Sequence, residues 1–468
     1  MLNLTRYSIY SSILLSFVVI SASLFVHESA NAQVKNLSCE AIQITDGPFG
    51  SGDPYACQNG ILFESRDDLL NNGHTPDQPD IFFADVTDPR NPVFYQITNS
   101  PMLGEEDFLT ATISEDCTSI AIRSGQNLTG QNGGNVLQLY YGDISDPSNP
   151  ILTQITNNTE EEENEGTAII SGDGSKIGFQ SGLNIANMNP AMDRIFFVYD
   201  HFNNASPFKA VTPTDVGSGT NSPRLSFDGT SYVITSSANF MPPNQNPLMV
   251  DQLYLFDITY NPPAMPTINP FQITNNSTPS VVPFNFTDRG ISGNGNVASL
   301  VSNIDLTTMS TGGAEQLFIA HVENPAAPTL TQVTKTSTDA ADDTPILNFP
   351  GDRAAFISNA PEFKQSPGNG PTIVVADISD PNNPLFTSLL NSPLGINIDE
   401  LSAPVDFSFF TYEDEFFVNE EEEIEQVYFL RNCDLPRNVP TISEWGLIAM
   451  AGILGLIGFM VIRRRALA

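Results

Sequence analysis

Six aspartates occur as three pairs with the same spacing, and carboxylates are ligands that calcium ions prefer. The pairs are Asp85 with Asp88, Asp143 with Asp146, and Asp377 with Asp380. Each pair belongs to one of three similar phrases: DVTDPRNP (85–92), DISDPSNP (143–150) and DISDPNNP (377–384). Asp side chains also accept backbone N–H groups in Asx turns, and the prolines add no ligand. We therefore favour a turn-forming role, with calcium as the alternative and no other cofactor indicated.

Other residues that could do chemistry are sparse. Three of the four histidines, His74, His201 and His321, lie outside the first 32 residues. His201 and His321 end similar segments of different repeats, which favours loop positions over a shared metal centre. The sequence has no H-x-x-x-H, C-x-x-C or G-x-S-x-G motif. No catalytic residue is therefore predicted, although glycoside cleavage by carboxylates alone stays an alternative because Asp and Glu are abundant.

The composition indicates a large, acidic β-protein. The 468 residues include 18 Lys+Arg against 54 Asp+Glu, for a formal net charge of -36, with 40% hydrophobic residues, 35 Pro and 32 Gly. This chain is too apolar for disorder and too rich in turn formers for a helical protein. Its charge repels nucleic acid and anionic lipid, so nucleic-acid binding is excluded.

A segment of alternating apolar residues that ends in a polar residue recurs seven times. The seven copies are DIFFAD (80–85), LQLYYGD (137–143), RIFFVYD (194–200), QLYLFD (252–257), QLFIAH (316–321), TIVVAD (372–377) and QVYFLR (426–431). A second short strand ending in Thr follows most copies, as in YQIT (95–98) and TQIT (153–156). An Asp-Gly-type turn and an apolar strand come next, as in SGDGSKIGFQS (171–181). Each repeat therefore has four short strands.

Seven repeats of four strands without intervening helices predict an all-β, seven-bladed β-propeller over residues 33–435. A solenoid or a row of sandwiches is the competing architecture. The chain begins with the second strand of a repeat, IQIT (42–45), and ends with an isolated first strand, QVYFLR (426–431). Pairing of these N- and C-terminal strands would close the ring, whereas a linear array would leave two open edges.

The four cysteines are an even number in a chain that is predicted to be exported. Ring closure places Cys39 and Cys433 beside the two strands that complete the shared blade, so we predict a disulfide between them. Cys57 and Cys117, which remain, lie in equivalent turns of neighbouring repeats, and we predict a second disulfide between them.

The turn phrase resembles the TolB-type propeller repeat, in which Ser-Pro-Asp-Gly precedes a strand that ends in Ser. The resemblance covers about residues 40–433, although Glu115, Gly172, Phe227 and Gly293 stand in place of the proline. It implies a propeller fold and no particular partner. The Asp/Pro phrase also resembles the loop of another propeller repeat found in secreted bacterial proteins.

The two ends of the chain carry targeting features. Residues 1–32 combine Arg6, an apolar run at 13–26 and the small-x-small sequence Ala30-Asn31-Ala32, which is typical of a secretory signal peptide. Residues 436–468 contain an apolar stretch at 445–462, long enough for a transmembrane helix. The arginines that follow it, Arg463, Arg464 and Arg465, predict that this end faces the cytoplasm and that the body lies outside.

The segment from Pro440 to Gly446 resembles the bacterial IPTL-CTERM sorting signal. Its residues are Pro440, Thr441, Ile442, Ser443, Glu444, Trp445 and Gly446. The resemblance implies recognition by a membrane-embedded sorting protease or transpeptidase, and export to the envelope or surface of a Gram-negative bacterium. An ordinary C-terminal membrane anchor is the alternative.

Two acidic runs, at 160–165 and 420–426, are interpreted as solvated loops, with a basic partner or cations as the alternative. Three functional hypotheses follow. We favour a non-catalytic surface module that holds a protein or a glycan on a propeller face. A secreted hydrolase or lyase with carboxylates in the channel, and a calcium-supported structural protein, are the alternatives.

Overall fold

The computed structural model describes residues 35–36, 39–73, 79–99, 109–132, 136–159, 167–203, 207–212, 223–240, 250–260, 266–275, 289–307, 312–341, 345–364, 370–391, 397–419, 422–431 and 433. In these ranges the protein is an all-β, seven-bladed β-propeller, with one short 3-10 helix at Ile185–Asn187. No helix in this part of the chain is long and apolar enough to cross a membrane. The predicted signal peptide at 1–32 and the predicted helix at 445–462 lie outside the described residues.

Each of the first three sheets has four antiparallel strands in chain order. The strands of the first sheet are Ser51–Cys57, Gly60–Ser65, Asp80–Asp85 and Val93–Gln96. Those of the second are Leu109–Ile113, Ser119–Ser124, Gln138–Asp143 and Ile151–Gln154. Those of the third are Ile169–Ile170, Lys176–Ser181, Ile195–Asp200 and Phe208–Ala210.

The fourth to sixth sheets repeat this order. The strands of the fourth are Arg224–Leu225, Ser231–Ser236, Gln252–Thr259 and Thr267–Gln272. Those of the fifth are Arg289–Ile291, Val297–Ser302, Gln316–His321 and Thr329–Gln332. Those of the sixth are Ile346–Leu347, Arg353–Ser358, Thr372–Asp377 and Leu385–Asn391, with Lys35–Asn36 added in parallel as a fifth strand.

The seventh sheet takes its strands from both ends of the chain. Asn397–Ser402, Phe410–Asn419 and Glu422–Arg431 are followed in the sheet by Glu40–Gln43, which pairs antiparallel with Glu422–Arg431. Ala41 lies opposite Leu430 and Gln43 opposite Tyr428. The N- and C-terminal strands therefore share one blade.

The predicted repeats and the observed sheets are offset by two strands. The first two strands of each predicted repeat are the third and fourth strands of one sheet, and the other two belong to the next sheet. The Asp/Pro phrase consequently connects the third and fourth strands of a sheet, and not the first two. The order of the strands along the chain was predicted correctly. The repeat did not show, however, which four strands pair with one another in a sheet.

The threonine that ends the second phrase has a structural reason. Thr98 Oγ1 accepts a hydrogen bond from Ile81 N–H at 2.9 Å and donates one to Asp80 Oδ1 at 2.7 Å. Thr156 does the same with Leu139 N–H and Gln138 Oε1, at 2.8 and 2.9 Å. The hydroxyl therefore takes the place of a backbone carbonyl where the outer strand leaves the sheet, which satisfies a buried N–H group.

Apolar clusters lie between neighbouring sheets. One cluster joins Phe63 and Phe82 of the first sheet to Val427 and Phe429 of the seventh. Six further clusters of the described residues occupy the other contacts between consecutive sheets. The core of the protein is therefore divided among the blade interfaces, as the alternating strands require.

The antiparallel order gives the propeller two different faces. The turns between first and second strands and between third and fourth strands lie on one face, which we call the turn face. The connections between second and third strands, and those between sheets, lie on the opposite face, which we call the long-loop face.

Candidate functional site

The Asp/Pro phrases form local turns on the turn face. Asp143 Oδ1 accepts hydrogen bonds from the N–H and the hydroxyl of Ser145, at 3.0 and 2.7 Å. Asp146 Oδ1 accepts the same pair from Ser148, at 3.2 and 2.6 Å. The corresponding bonds of the other copies run from Thr87 N–H to Asp85, from Arg90 N–H to Asp88, from Ser379 N–H to Asp377 and from Asn382 N–H to Asp380. These carboxylates therefore act as Asx-turn acceptors.

No group of three or more His, Cys, Asp or Glu residues in the described ranges is arranged to hold a metal ion. The three aspartate pairs belong to the first, second and sixth sheets, so the fold does not bring them together. His201 is in the third sheet region, where its ring stacks on Tyr141 at 3.9 Å between centroids, while His321 ends a strand of the fifth sheet. His74 lies outside the described residues. Calcium binding stays the alternative to the turn-forming role.

Both disulfides have the predicted connectivity. Cys39 and Cys433 are bonded with their Cα atoms 4.7 Å apart, across 394 residues of chain. Cys57 and Cys117 are bonded with a Cα distance of 5.4 Å and join the first and second sheets. Cys117 has a φ of 60°, at the turn position that Gly174 and Gly229 occupy in the next two sheets, with φ of 71° and 66°. The second sheet thus has a covalent link where the third to sixth sheets have a glycine with positive φ.

On the turn face, a row of hydrogen bonds joins the turns of the first to the seventh sheet in order, and we call it the turn belt. The bonds are Gln58 N–H to Glu115 O, Glu115 N–H to Gly172 O, Asp173 N–H to Phe227 O, Phe227 N–H to Gly293 O, Asn294 N–H to Phe349 O and Phe349 N–H to Val405 O, all of 2.7–3.0 Å. Glu115 Oε2 also accepts a bond from Val405 N–H at 3.1 Å.

Two aromatic rings complete this end of the propeller. The rings of Phe227 and Phe349 meet edge to face at 5.6 Å between centroids. A Cβ atom added to Gly172 would lie 2.4 Å from the Phe227 ring, and one added to Gly293 would lie 2.5 Å from the Phe349 ring. The residues that replace the expected proline of the turn phrase therefore pack together at the axis. Burial raises the pKa of the Glu115 carboxyl to about 7, against the opposing effect of the bond from Val405.

Acidic side chains from the first and seventh sheets meet at their interface, towards the long-loop face. Glu413 Oε2 accepts a hydrogen bond from Asp53 N–H at 3.0 Å, and Glu413 is only 6% exposed. Burial, and then the charge of Glu425, raise the pKa of Glu413 to about 9. Burial and the nearby Asp53 carboxylate raise the pKa of Glu64 to about 8. Glu64 and Glu413 therefore keep their protons at neutral pH.

The side chain of Asp53 reaches the solvent, but much of its surroundings is protein. The loss of hydration raises the pKa of Asp53, and the charge of the Asp399 carboxylate raises it further. Asp53, Glu64 and Thr110 line a cavity of about 10 Å³ near the axis. Such a space holds about one water molecule. A Cβ atom added to Gly52 would come within 2.5 Å of Glu413 Oε2, so this carboxyl packs directly against the neighbouring backbone.

Two larger grooves lie on the outer side of the propeller near the long-loop face. The groove between the first and second sheets has a volume of about 470 Å³ and is lined by residues that include Asn99, Thr129, Gln131, Leu152, Thr153 and Gln154. The groove between the second and third sheets has about 450 Å³, with Asn157, Thr159, Leu183, Asn184, Met192 and Phe208 in its lining. We call them groove 1 and groove 2. Both are in the size range of ligand sites.

The sequence motifs did not identify the turn belt, the Glu64–Glu413 group or the grooves. The sequence showed that other residues replace the proline before the Asp-Gly pair. The repeat did not show that these residues lie close together at the propeller axis. Glu64 and Glu413 are 349 positions apart in the sequence, and both lie near Asp53 because the seventh sheet packs against the first. The predicted sorting residues, the acidic run at 160–165 and part of the run at 420–426 lie outside the described ranges.

Comparison with protein families gives one match. The family model described as the IPTL-CTERM motif matches residues 439–466, which contain Pro440–Gly446 and Arg463–Arg465. The resemblance predicted from the sequence is therefore confirmed. This motif implies a sorting machinery that processes the protein, and it implies export and localisation at the cell surface. No curated protein matches the chain.

Solved structures with a similar arrangement include an oligogalacturonate lyase from Vibrio parahaemolyticus, with 13% identity and a TM-score of 0.49, over 86% of this chain and 98% of that one. A prolyl endopeptidase structure has 13% identity and a TM-score of 0.48, over 81% of this chain and 46% of the longer protein. A structure described as TolB from Agrobacterium tumefaciens has 14% identity and a TM-score of 0.37, over 72% of this chain and 94% of that one. At such identities the similarity says nothing about activity.

Proposed function

We propose that this protein is a non-catalytic interaction module at the surface of a Gram-negative bacterium. In this proposal the signal peptide at 1–32 is removed, the helix at 445–462 holds the chain in the inner membrane, and a sorting protease or transpeptidase acts at Pro440–Gly446. The propeller ring, closed by the seventh sheet, then holds a protein or a glycan on its long-loop face.

The difference between the two faces is the observation that supports this proposal. Backbone hydrogen bonds and the Phe227–Phe349 contact occupy the axis on the turn face. The two grooves of 450–470 Å³ are both near the long-loop face. A ligand therefore finds concave surface mainly on the long-loop side of the described structure, which is where binding loops are expected on a rigid scaffold.

A carboxylate-dependent hydrolase or lyase is the second candidate, and one observation favours it. Raised pKa values of neighbouring carboxyl groups are typical of general acids, and Glu64 and Glu413 have them at about 8 and 9. However, the adjoining cavity of about 10 Å³ has no room for a sugar residue, and Glu413 packs against Gly52. These contacts support a structural role for the two carboxyl groups.

The proposal is tested with the full-length chain carrying an epitope tag after residue 33, in the bacterium that produces it. Protease treatment of intact cells should remove the tag from the wild type. A Pro440→Ala/Trp445→Ala variant should stay with the inner membrane. Envelope extracts passed over the purified protein, with and without calcium, should yield a saturable partner. Breakdown of envelope polysaccharide by the purified protein, abolished by Glu64→Gln, would instead establish the enzymatic alternative.

A further inference from the structure

We propose that grooves 1 and 2 are two equivalent subsites for one uncharged polysaccharide chain. This inference rests on the proposed function and names the chemical class of its ligand. It is carried by the common construction of the two grooves, by the chemistry of their linings and by their spacing on successive blades.

The loop beside each groove is built in the same way. In groove 1, Asn132 N–H donates to Asn127 Oδ1 at 2.8 Å, and Asn132 Nδ2 donates to the carbonyl oxygens of Gly125 and Val136 at 2.9 and 2.8 Å. Asn132 is 3% exposed, so this amide is a buried support for the loop. The described part of the loop is therefore held by hydrogen bonds within the protein.

Groove 2 repeats these contacts one blade later. Asn189 N–H donates to Asn184 Oδ1 at 2.8 Å, and Asn189 Nδ2 donates to the carbonyl oxygens of Gly182 and Asp193, at 3.4 and 2.6 Å. Asn189 is also 3% exposed. The matching asparagines of the two loops are each 57 positions apart, as the numbering shows. The same scaffold thus presents two similar concave surfaces side by side.

The linings differ in chemistry from the rest of the protein. The described residues that line the two grooves include no Asp, Glu, Lys, Arg or His, in a chain whose net charge is -36. Among these described lining residues, an anionic ligand would meet no cation and a cationic ligand no carboxylate. Amides and hydroxyls such as Asn157 and Thr153, which are both exposed, can donate and accept hydrogen bonds with neutral hydroxyl groups. Leu152 and Met192 supply apolar surface for the faces of sugar rings.

A polysaccharide fits these features better than a protein partner. The centre of a protein interface is enriched in aromatic residues and arginine, whereas the described lining of groove 1 has neither, and that of groove 2 has no arginine and one aromatic ring, Phe208. Two similar subsites on adjacent blades also match a ligand whose own chemical unit repeats. Binding at both subsites by one chain would strengthen attachment without any further contact.

The test uses the purified full-length protein in detergent and native gels that contain one polymer each. The uncharged probes are dextran, laminarin and mannan, and polygalacturonate and chitosan are the charged ones. We expect at least one uncharged polymer, and neither charged one, to retard the wild-type protein. Thr153→Trp fills groove 1 and Asn157→Trp fills groove 2. Each should weaken retardation about tenfold, and the double variant about a hundredfold or more.

Thr329→Trp is the matched control, because Thr329 is an exposed threonine on the outer strand of the fifth sheet and lines neither groove. It should bind like the wild type, and thermal melts should show that all variants are folded. Retardation by polygalacturonate or chitosan alone, or equal retardation of the wild type and the double variant, would overturn the inference.

The outcome can be separated from that of the proposed function. If no uncharged polymer retards the protein but envelope extracts still yield a saturable protein partner, the polysaccharide inference is wrong and the interaction module remains. If neither a polymer nor an envelope partner binds, both proposals fail.

Discussion

The carboxylate of Glu115 accepts a hydrogen bond of 3.1 Å from the backbone N–H of Val405, which lies 290 residues further along the chain. Glu115 belongs to a turn of the second sheet and Val405 to a turn of the seventh, so the bond passes over the first sheet. It ties the sheet that contains both chain ends to the body of the propeller.

Replacing Glu115 with alanine should therefore weaken the propeller. The variant leaves the Val405 N–H without its acceptor, and loss of a partner for a partly buried donor costs about 1–3 kcal/mol. Glu115→Gln keeps an acceptor and should lose less than half as much. The measurement is urea unfolding of both variants beside the wild type. Equal loss in the two variants would show that the hydrogen bond to Val405 is not the cause.

Glu413→Gln should change how stability depends on pH. The pKa of Glu413 is raised from 4.5 to about 9, so the folded state binds a proton that the unfolded state has lost between these values. The free energy of unfolding therefore falls as pH rises from about 4.5 to 9. Glutamine accepts the Asp53 N–H bond and does not ionise, so the variant should be more stable than the wild type at pH 8, by about 4 kcal/mol, and similar to it at pH 4.5.

Three carboxylates near Glu413 affect its pKa, and the experiment needs a control variant outside this group. The carboxylates of Glu425, Asp53 and Glu400 act on it from neighbouring strands, and they also raise its pKa. Asp46→Asn, which removes one exposed carboxyl group, is the control variant. Thermal melts at pH 4.5, 6, 7 and 8 give the comparison. Parallel profiles for the wild type and Glu413→Gln would contradict the prediction.

Removing the Cys39–Cys433 disulfide should cost more than removing the Cys57–Cys117 disulfide. The first closes a loop of 394 residues and the second one of 60. The chain-entropy model gives an excess of about 1.7 kcal/mol for the longer loop, because its length term is logarithmic. Paired Cys→Ser variants of each bridge, unfolded in urea, test this order. The reverse order would mean that native contacts, and not loop length, decide the effect.

Gly229→Ala should destabilise the protein more than Gly130→Ala. Both glycines have positive φ, at 66° and 77°. An added Cβ at Gly130 meets nothing within 4 Å, whereas at Gly229 it lies 2.6 Å from Lys176 Cγ. Gly130→Ala should therefore cost only the backbone strain of about 1–2 kcal/mol, and Gly229→Ala about 1–3 kcal/mol more. Equal melting temperatures for the two variants would show that the blade contact is adaptable.

Chelation should leave thermal stability unchanged. Asp143 and Asp146 use their Oδ1 atoms in turn hydrogen bonds with Ser145 and Ser148, which do not require a cation. Melts of the purified protein with EDTA and with added calcium should therefore coincide. A fall of several degrees on chelation, reversed by calcium but not by magnesium, would support the calcium-dependent alternative.

Features that follow from local periodicity were predictable from the sequence. The alternating segments predicted the strands. The phrase DISDPSNP predicted a turn, because Asp side chains bond to backbone groups of nearby residues and Pro restricts the local backbone. The ends of the outer strands were misplaced by two residues: TQIT continues to Thr156, but the strand ends at Gln154. Beyond Gln154, the hydroxyl of Thr156 accepts the Leu139 N–H bond in place of a backbone carbonyl. The alternation of apolar residues does not show where a side chain takes over from the backbone in this way.

Features that depend on distant pairing could be predicted only in part. IQIT (42–45) and QVYFLR (426–431) lacked partner strands in their own repeats, so they were predicted to pair, and this pairing predicted a disulfide between Cys39 and Cys433. Glu64 and Asp53 lie on paired strands of the first sheet. The contact of Asp53 with Glu413 depends on the register between the first and seventh sheets, which no repeat encodes. The loops pinned by Asn132 and Asn189 were accessible in principle, because the sequence S-G-x-N recurs at 124–127 and 181–184. A four-residue motif is too short to predict a binding site, and its connection with the grooves can be recognised only in the structure.

The mixed origin of the seventh sheet also sets the order in which the protein can assemble. A polypeptide that leaves the membrane with its N-terminus first exposes Glu40–Gln43 early, but the partner strand emerges only with residues 422–431. The first six blades can form one after another before the partner of this early strand is available. Cys433 lies six positions before the start of the sorting motif at residue 439. Oxidation of the last bridge and presentation of the motif therefore belong to the same final stage of translocation.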